Sequence, residues 1–485
     1  MPKYRSLSAL QAALLAGETS CRAVVEYYLA QIEQTRQLNA YVEIWPAEAL
    51  ARADALDARI GAARQTGSMG TLGQLFGAVV SLKDNICYAG HQVTAAAKIL
   101  EGFTSLYSAT AVERMLAEDA ILIGRTNCDQ FGMGSSNENS VYGPVHNAID
   151  PERVPGGSSG GAAVALQTDT CLVAMGSDTG GSVRQPAGFC GLWGFKPTYG
   201  RISRHGLIAY GSSFDQIGFL ANNPADIARF LAVVAGPDGY DSTAGQPPVE
   251  PSLPEPEAGA PATTTRIAYF PAAFDSDGLD AGVRGVMLDV MTRLREAGHA
   301  VEPVGFELLD YIIPTYYVLT TAEASSNLAR YDGIRYGYRS PEARNLEETY
   351  LRSRTEGFSD EVKRRILLGT FVLSSGYYDA YYNKAQQVRR LIQQQTLAIL
   401  EDYDFILMPV SPSVAWRFGE KSDDPVAMYL ADIFTVQANL AGVPALALPA
   451  GRHPDNGLPV GVQLMAGLWR DEQLLRFGQQ LAGVL

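Results

Sequence analysis

Basic residues are few in this chain. It carries 38 Lys and Arg against 52 Asp and Glu, a formal net charge of −14 over 485 residues. Phosphate binding draws its affinity from Lys and Arg, so the chain is not expected to grip a nucleic acid by itself. An RNA would have to be held by a partner. Histidine is as scarce, with only His91, His146, His205, His299 and His453, and none stands in an HExxH pattern. The five cysteines, Cys21, Cys87, Cys128, Cys171 and Cys190, are odd in number and form no CxxC pair. No metal site is expected, and a reducing, cytoplasmic compartment suits the cysteine usage best. No run of 18 apolar residues occurs, so no membrane span is expected. The N-terminus is not a signal peptide by pattern: Leu7, Leu10 and Leu14 recur at helical spacing and read as one amphipathic helix.

What is present is ordinary globular material, 47% hydrophobic and 19% charged, enough for a large core. Residues 6–66 read as helical. From about residue 72 short apolar runs appear, Gly77–Leu82 and Ala120–Gly124, with a helical pattern at Ala109–Glu118 between them. Strand, helix, strand in that order predicts an α/β sheet covered on both faces. Residues 126–218 are rich in Gly, Ser and Asn with little periodicity, a texture that in compact domains carries function. Residues 245–265 are Pro-rich and read as a surface insertion. Beyond them Ile267–Phe270, Phe405–Met408, Pro444–Pro449 and Val460–Met465 read as strands and 281–297 as a helix. Residues 1–485 are therefore expected to form one domain: a helical part at 1–66, a core at 72–220, the insertion, and the rest of the sheet at 266–485. Across 360–401 a strong helical pattern is capped by Ser359, with breaks expected at Gly369 and Ser374–Gly376.

Three segments carry candidate chemistry. Lys83 leaves an apolar strand in Ser81-Leu82-Lys83-Asp84-Asn85. Pro155-Gly156-Gly157-Ser158-Ser159-Gly160-Gly161 precedes the apolar Ala162–Leu166. Such a turn can cap a helix or cradle an anion, but neither GxxxxGK[ST] nor GxGxxG is present. In Gly176-Ser177-Asp178-Thr179-Gly180-Gly181-Ser182-Val183-Arg184 a glycine turn delivers a serine, and the N–H groups of Thr179, Gly180, Gly181 and Ser182 can point into one hole, as an oxyanion requires. A serine nucleophile needs a base. His205 stands near in sequence, so a Ser-His-Asp triad remains open. A buried lysine, its pKa lowered by desolvation, offers another route, with a hydroxyl relaying the proton.

The GGSSGG and GSDTGGS contexts, with Lys83 75 residues before Ser158 and Ser158 24 before Ser182, resemble the amidase signature family. The resemblance implies a large, mostly mixed central sheet with helices on both faces. It implies Ser182 as nucleophile, Ser158 as relay serine in a cis peptide, and Lys83 as base. Asp178 and Arg184 lie in the same signature and are expected to support its turn.

Further stretches resemble the branch of that family that serves as the A subunit of tRNA-dependent amidotransferases: Met133–Ser140, Lys196–Arg201, Ser213–Gly218, Ala322–Leu328, Glu361–Arg365 and Met428–Phe434. That branch implies free glutamine as substrate, with ammonia passed to a B subunit that uses ATP and Mg on Glu-tRNA(Gln), and a small clamp formed by a C subunit. No cofactor is expected in this chain. By family position Arg365 takes the α-carboxylate and Asp432 the α-ammonium, with Tyr316 a further contact. The solvated-face alternative for Arg365 stays open, since Lys363 and Arg364 adjoin it. Gln130 stands where the family has Glu, which puts a contact near the substrate in question. The competing reading is a stand-alone amidase acting on another carboxamide.

Overall fold

The computed structural model describes residues 3–482 apart from 68, 246–263, 276–277 and 422–423. The Pro-rich segment expected at 245–265 thus lies almost wholly outside the described residues. Eleven strands form one sheet: β1 (Tyr41–Ile44), β2 (Val79–Lys83), β3 (Ile121–Thr126), β4 (Val173–Asp178), β5 (Trp193–Lys196), β6 (Gln216–Ala221), β7 (Arg266–Tyr269), β8 (Ala300–Pro303), β9 (Phe405–Pro409), β10 (Ala445–Arg452) and β11 (Pro459–Ala466). Their spatial order is β1-β3-β2-β4-β6-β5-β10-β11-β9-β7-β8, so strands from both sides of the Pro-rich segment share the sheet. The pairs β2–β3, β2–β4, β7–β8 and β7–β9 are parallel, and the other six are antiparallel. This is the mixed α/β sheet the sequence predicts, with helices along both faces.

Burial explains the strand texture. Every residue of β2, β3, β4, β5, β6, β9 and β11 is buried, because helices cover both faces and no alternation is imposed. The N-terminal helix Leu7–Ala16 starts at Ser6, whose side chain accepts from the Ala9 N–H, and it buries Leu7, Leu10 and Leu14.

The structure departs from expectation in places. The part at 1–66 is not all helix: β1 interrupts it, pairing antiparallel with β3 at the sheet edge, where each of its residues is half-buried and shows no period. Residues 126–218 hold three strands, β4, β5 and the start of β6. Gly369 does not break its helix, which runs Asp360–Val372. The glycine is there for proximity, since a Cβ would land on the Thr321 carbonyl.

What positions the site is the parallel trio β3–β2–β4. Their carboxyl ends lie together, the place where open α/β sheets bind ligands. Lys83 ends β2, and Asp178 ends β4.

Candidate active site

Lys83 is fully buried. Its Nζ donates to Ser158 Oγ (2.7 Å), Ser159 Oγ (2.9 Å) and the Ser177 carbonyl (3.4 Å), all neutral acceptors. The adjacent carboxylate, Asp84, is turned elsewhere: it pairs with Arg125 and accepts from the Thr94 hydroxyl and the Ala96 N–H. Burial lowers the Lys83 ammonium to about 8, and the charges of Asp129, Asp178 and Asp215 only partly oppose that. At pH 7 about a tenth of the side chain is then the free amine.

Ser158 reaches Lys83 from the loop before the helix Gly160–Gln167, and the Gly157–Ser158 peptide is cis. The loop is clamped. Gly157 N–H donates to Gln185 Oε1 (3.0 Å), the Ser158 carbonyl accepts from Asp129 N–H (3.2 Å), and Ser159 N–H donates to the Ser182 carbonyl (3.1 Å). A side chain at Gly157 would collide with the Asp129 carboxylate, so the second glycine of GGSSGG is a packing requirement.

Ser182 sits in the turn after β4, 8% exposed where Ser158 and Lys83 show no exposed surface. Asp178 builds this turn. Its carboxylate accepts from Gly181 N–H (2.9 Å), Val183 N–H (3.2 Å), Arg184 Nε and Nη2 (3.1 and 3.0 Å) and Asn439 Nδ2 (2.9 Å). Burial alone would raise this carboxyl, but the charge and hydrogen bonds of Arg184 prevail and hold it at about 2. Arg184, also fully buried, donates in addition to the Thr435 carbonyl, Gln463 and Asn439. Gly181 has φ +130°, and a Cβ there would meet Thr435.

One expectation needs correction here. The Gly181 N–H is spent on Asp178, so it does not face an incoming oxyanion. The N–H groups of Thr179, Gly180 and Ser182 have no hydrogen-bond partner among the described residues.

A cavity of about 380 Å³ opens nearby, lined among others by Asp129, Ser135, Glu361, Arg365 and Tyr429. Asp432 is 8% exposed, and its Oδ2 accepts from Ser135 Oγ (2.7 Å) and Tyr317 Oη (3.3 Å). Burial pushes this carboxyl up to about 7, against those hydrogen bonds and the Arg365 charge. Arg365 is not on a solvated face. It is buried, with Nε on Glu361 Oε1 (2.7 Å), Nη1 on Tyr210 Oη (2.7 Å), and the rings of Tyr210, Tyr317 and Tyr429 around its guanidinium at 5.4–5.5 Å. A larger cavity, about 500 Å³ and lined by Tyr350, Leu351 and Phe358 among others, contains none of these site residues.

A family model described as Amidase matches residues 23–475. The chain belongs to the amidase family. It is 50% identical to the A subunit of glutamyl-tRNA(Gln) amidotransferase from Prosthecochloris aestuarii, over 98% of this chain and 97% of that protein. The crystal structure of the same-named protein from Thermotoga maritima is similar at 36% identity and a TM-score of 0.76, covering 95% of this chain and 91% of that one. A chain from a vestigial complex, described as revealing the origins of an s-triazine catabolic enzyme, superposes with a TM-score of 0.84 at 30% identity, covering 99% and 98%.

In this amidase Tyr316 does not stand where a substrate contact was expected. It is buried behind the glycine turn, where a Cβ on Gly180 would strike its ring, and it packs edge-on against Phe214. Its neighbour Tyr317 reaches Asp432 and stacks on Tyr429 at 4.0 Å. Adjacent helical residues point about 100° apart, so the sequence pair Tyr316-Tyr317 alone does not show which ring faces the cavity. Ser135 and Tyr210 were missed as well, because a lone Ser or Tyr in a Gly-rich loop carries no periodic signal. Gln130 proves to be a fastener: its Oε1 accepts the Ser359 N–H (3.0 Å) at the start of the helix that carries Arg365.

Proposed function

We propose that this amidase hydrolyses the side-chain amide of free glutamine as the A subunit of a tRNA-dependent amidotransferase. The observation that carries the reading is Lys83 Nζ at 2.7 Å from Ser158 Oγ, both fully buried, beside a Ser182 that retains exposed surface. Ser182 Oγ attacks the amide carbon while Ser158 takes its proton and passes its own to the neutral Lys83 amine. The tetrahedral oxyanion is received by the N–H groups of Thr179, Gly180 and Ser182. The proton returns through Ser158 to the departing nitrogen, and ammonia leaves a glutamyl ester on Ser182. Water, deprotonated along the same route, releases glutamate and restores Ser182.

Asp432 and Arg365 suit the two charges of a free amino acid, each of which needs a partner once removed from water. The names of the relatives support the assembly: a B subunit that receives the ammonia and uses ATP and Mg on Glu-tRNA(Gln), and a small C subunit. The net charge of −14 fits tRNA being held by a partner. No helix among the described residues is long and apolar enough to cross a membrane, and the complex would act in the cytoplasm, with this chain as a single-domain component that has no cofactor of its own.

The test is glutamate release from glutamine by the purified chain, alone and with B and C subunits, ATP and charged tRNA. Weak activity alone that rises in the complex supports the reading. Full activity alone, with no partner effect and turnover of amides lacking the α-amino group, supports a stand-alone amidase instead.

A further inference from the structure

Arg365 has five N–H donors in a planar fork. Glu361 takes Nε and Tyr210 takes one hydrogen of Nη1, while Nη2 has no hydrogen-bond partner among the described residues. Glu361 is itself held on both sides: Tyr429 Oη donates to its Oε1 (3.2 Å), and Arg364 pairs with its Oε2. It lies one helical turn before Arg365, at the i,i−4 spacing where side chains meet, and both residues line the cavity that also contains Ser135 and Tyr429.

We propose that Glu361 is a specificity-determining positioning residue, which fixes the Arg365 guanidinium by its Nε edge so that the Nη2 side is presented to the carboxylate of the substrate. This rests on the proposed glutamine reading. The guanidinium is stacked among three tyrosines, which hold its plane but leave it free to turn within that plane. The carboxylate at Nε removes this freedom. It also supplies a negative charge that balances Arg365 when the cavity is empty, so an uncharged amide gains nothing from the pair. A bound carboxylate on Nη2 makes Arg365 bridge two anions, and the exposed Arg364 beside Glu361 offsets the excess.

The test uses the assembled complex and two substrates: glutamine, and a small primary amide without an α-carboxylate or α-ammonium. Glu361→Gln keeps the shape and removes the charge. Glutamine KM is expected to rise roughly tenfold, the loss of one hydrogen bond to a charged group, with kcat changed about twofold or less. The loss in kcat/KM on glutamine should exceed that on the neutral amide about fivefold or more. In an Arg365→Ala background the same substitution should add nothing. Tyr429→Phe, which removes a second tie on Glu361, should move glutamine KM in the same direction by less. Equal losses on both substrates, or a full Glu361→Gln effect in the Arg365→Ala background, overturn the proposal. If Arg365→Ala alone leaves glutamine KM unchanged, the glutamine reading of the pocket fails first, and the two failures are thereby separated.

Discussion

Replacing Lys83 by Met should make this protein inactive and no less stable. Desolvation lowers the Lys83 ammonium from its ordinary 10.5 to about 8, and one pK unit corresponds to about 1.4 kcal/mol. Burying the ammonium therefore costs on the order of 3 kcal/mol at pH 7. Met fills much of the same volume without the charge. The loss is the hydrogen bonding to Ser158 Oγ, Ser159 Oγ and the Ser177 carbonyl, of which Ser159 keeps its own bond to Ser177 O at 3.3 Å. At about 1 kcal/mol for each of the two serine contacts, the variant should come out between neutral and about 2 kcal/mol more stable at pH 7. The sign follows from linkage. The folded pKa lies below the unfolded one, so the penalty is full below pH 8, shrinks as pH rises from 8 to 10.5, and is gone above that. The advantage of Lys83→Met over the wild type should shrink in the same window. Turnover should fall about 10²–10⁴-fold, the range for loss of a general base. Chemical denaturation at pH 7 and 10, with glutamate release in parallel, reads both quantities. Loss of several kcal/mol at pH 7, or turnover within tenfold of wild type, would refute the picture of Lys83 as a base held at the expense of stability.

Wild-type kcat should rise close to tenfold per unit below pH 8 and level off above it, as the free amine of Lys83 accumulates; a flat profile from pH 6 to 8 would argue against a lysine base. Asp432, raised to about 7, gains its charge as pH rises through that value. Glutamine KM should therefore fall between pH 6 and 8, and Asp432→Asn should raise KM about tenfold or more and erase its pH dependence. Asp178→Asn leaves the buried Arg184 without its charge partner and should cost about 3–5 kcal/mol, measured by denaturation of the isolated chain. Gly369→Ala should destabilise by about 1–3 kcal/mol, since the helix must move off the Thr321 carbonyl; an unchanged denaturation midpoint would mean that the two helices are not in close contact there.

The sequence showed the sheet only where its strands are pure apolar runs. β2, β3, β9 and β11 read directly, because both faces of each are covered. β4 and β5 did not: Val173–Asp178 ends in Gly, Ser and Asp, and Trp193–Lys196 contains a glycine and a lysine. Both strands are nevertheless wholly buried. Gly194 is small because a Cβ there would meet Ala187, and Lys196 stays buried by donating to the Pro197 carbonyl and Gln216. These reasons lie in contacts far along the chain, which no local pattern encodes. The site divides in the same way. The glycines of both turns and the serines they deliver are visible as motifs, because tight turns demand particular residues. That Asp178 would claim the Gly181 N–H, or that Tyr317 and not Tyr316 would reach Asp432, depends on how the turn and the helix Ile312–Asn327 meet. Arg365 next to Lys363 and Arg364 looks like part of a solvated basic face. Only the packing of its helix turns that one residue of the three inward, onto Glu361 and Tyr210.

The central claim, a covalent glutamyl ester on Ser182, can be tested by acid-quenching the assembled complex during glutamine turnover and mapping the adduct by peptide mass spectrometry. The account predicts a γ-glutamyl group on Ser182, absent from Ser182→Ala and from glutamine-free samples. An adduct on another residue, or a complex that turns over glutamine with a pre-steady-state burst of ammonia but leaves Ser182 unmodified, would contradict it.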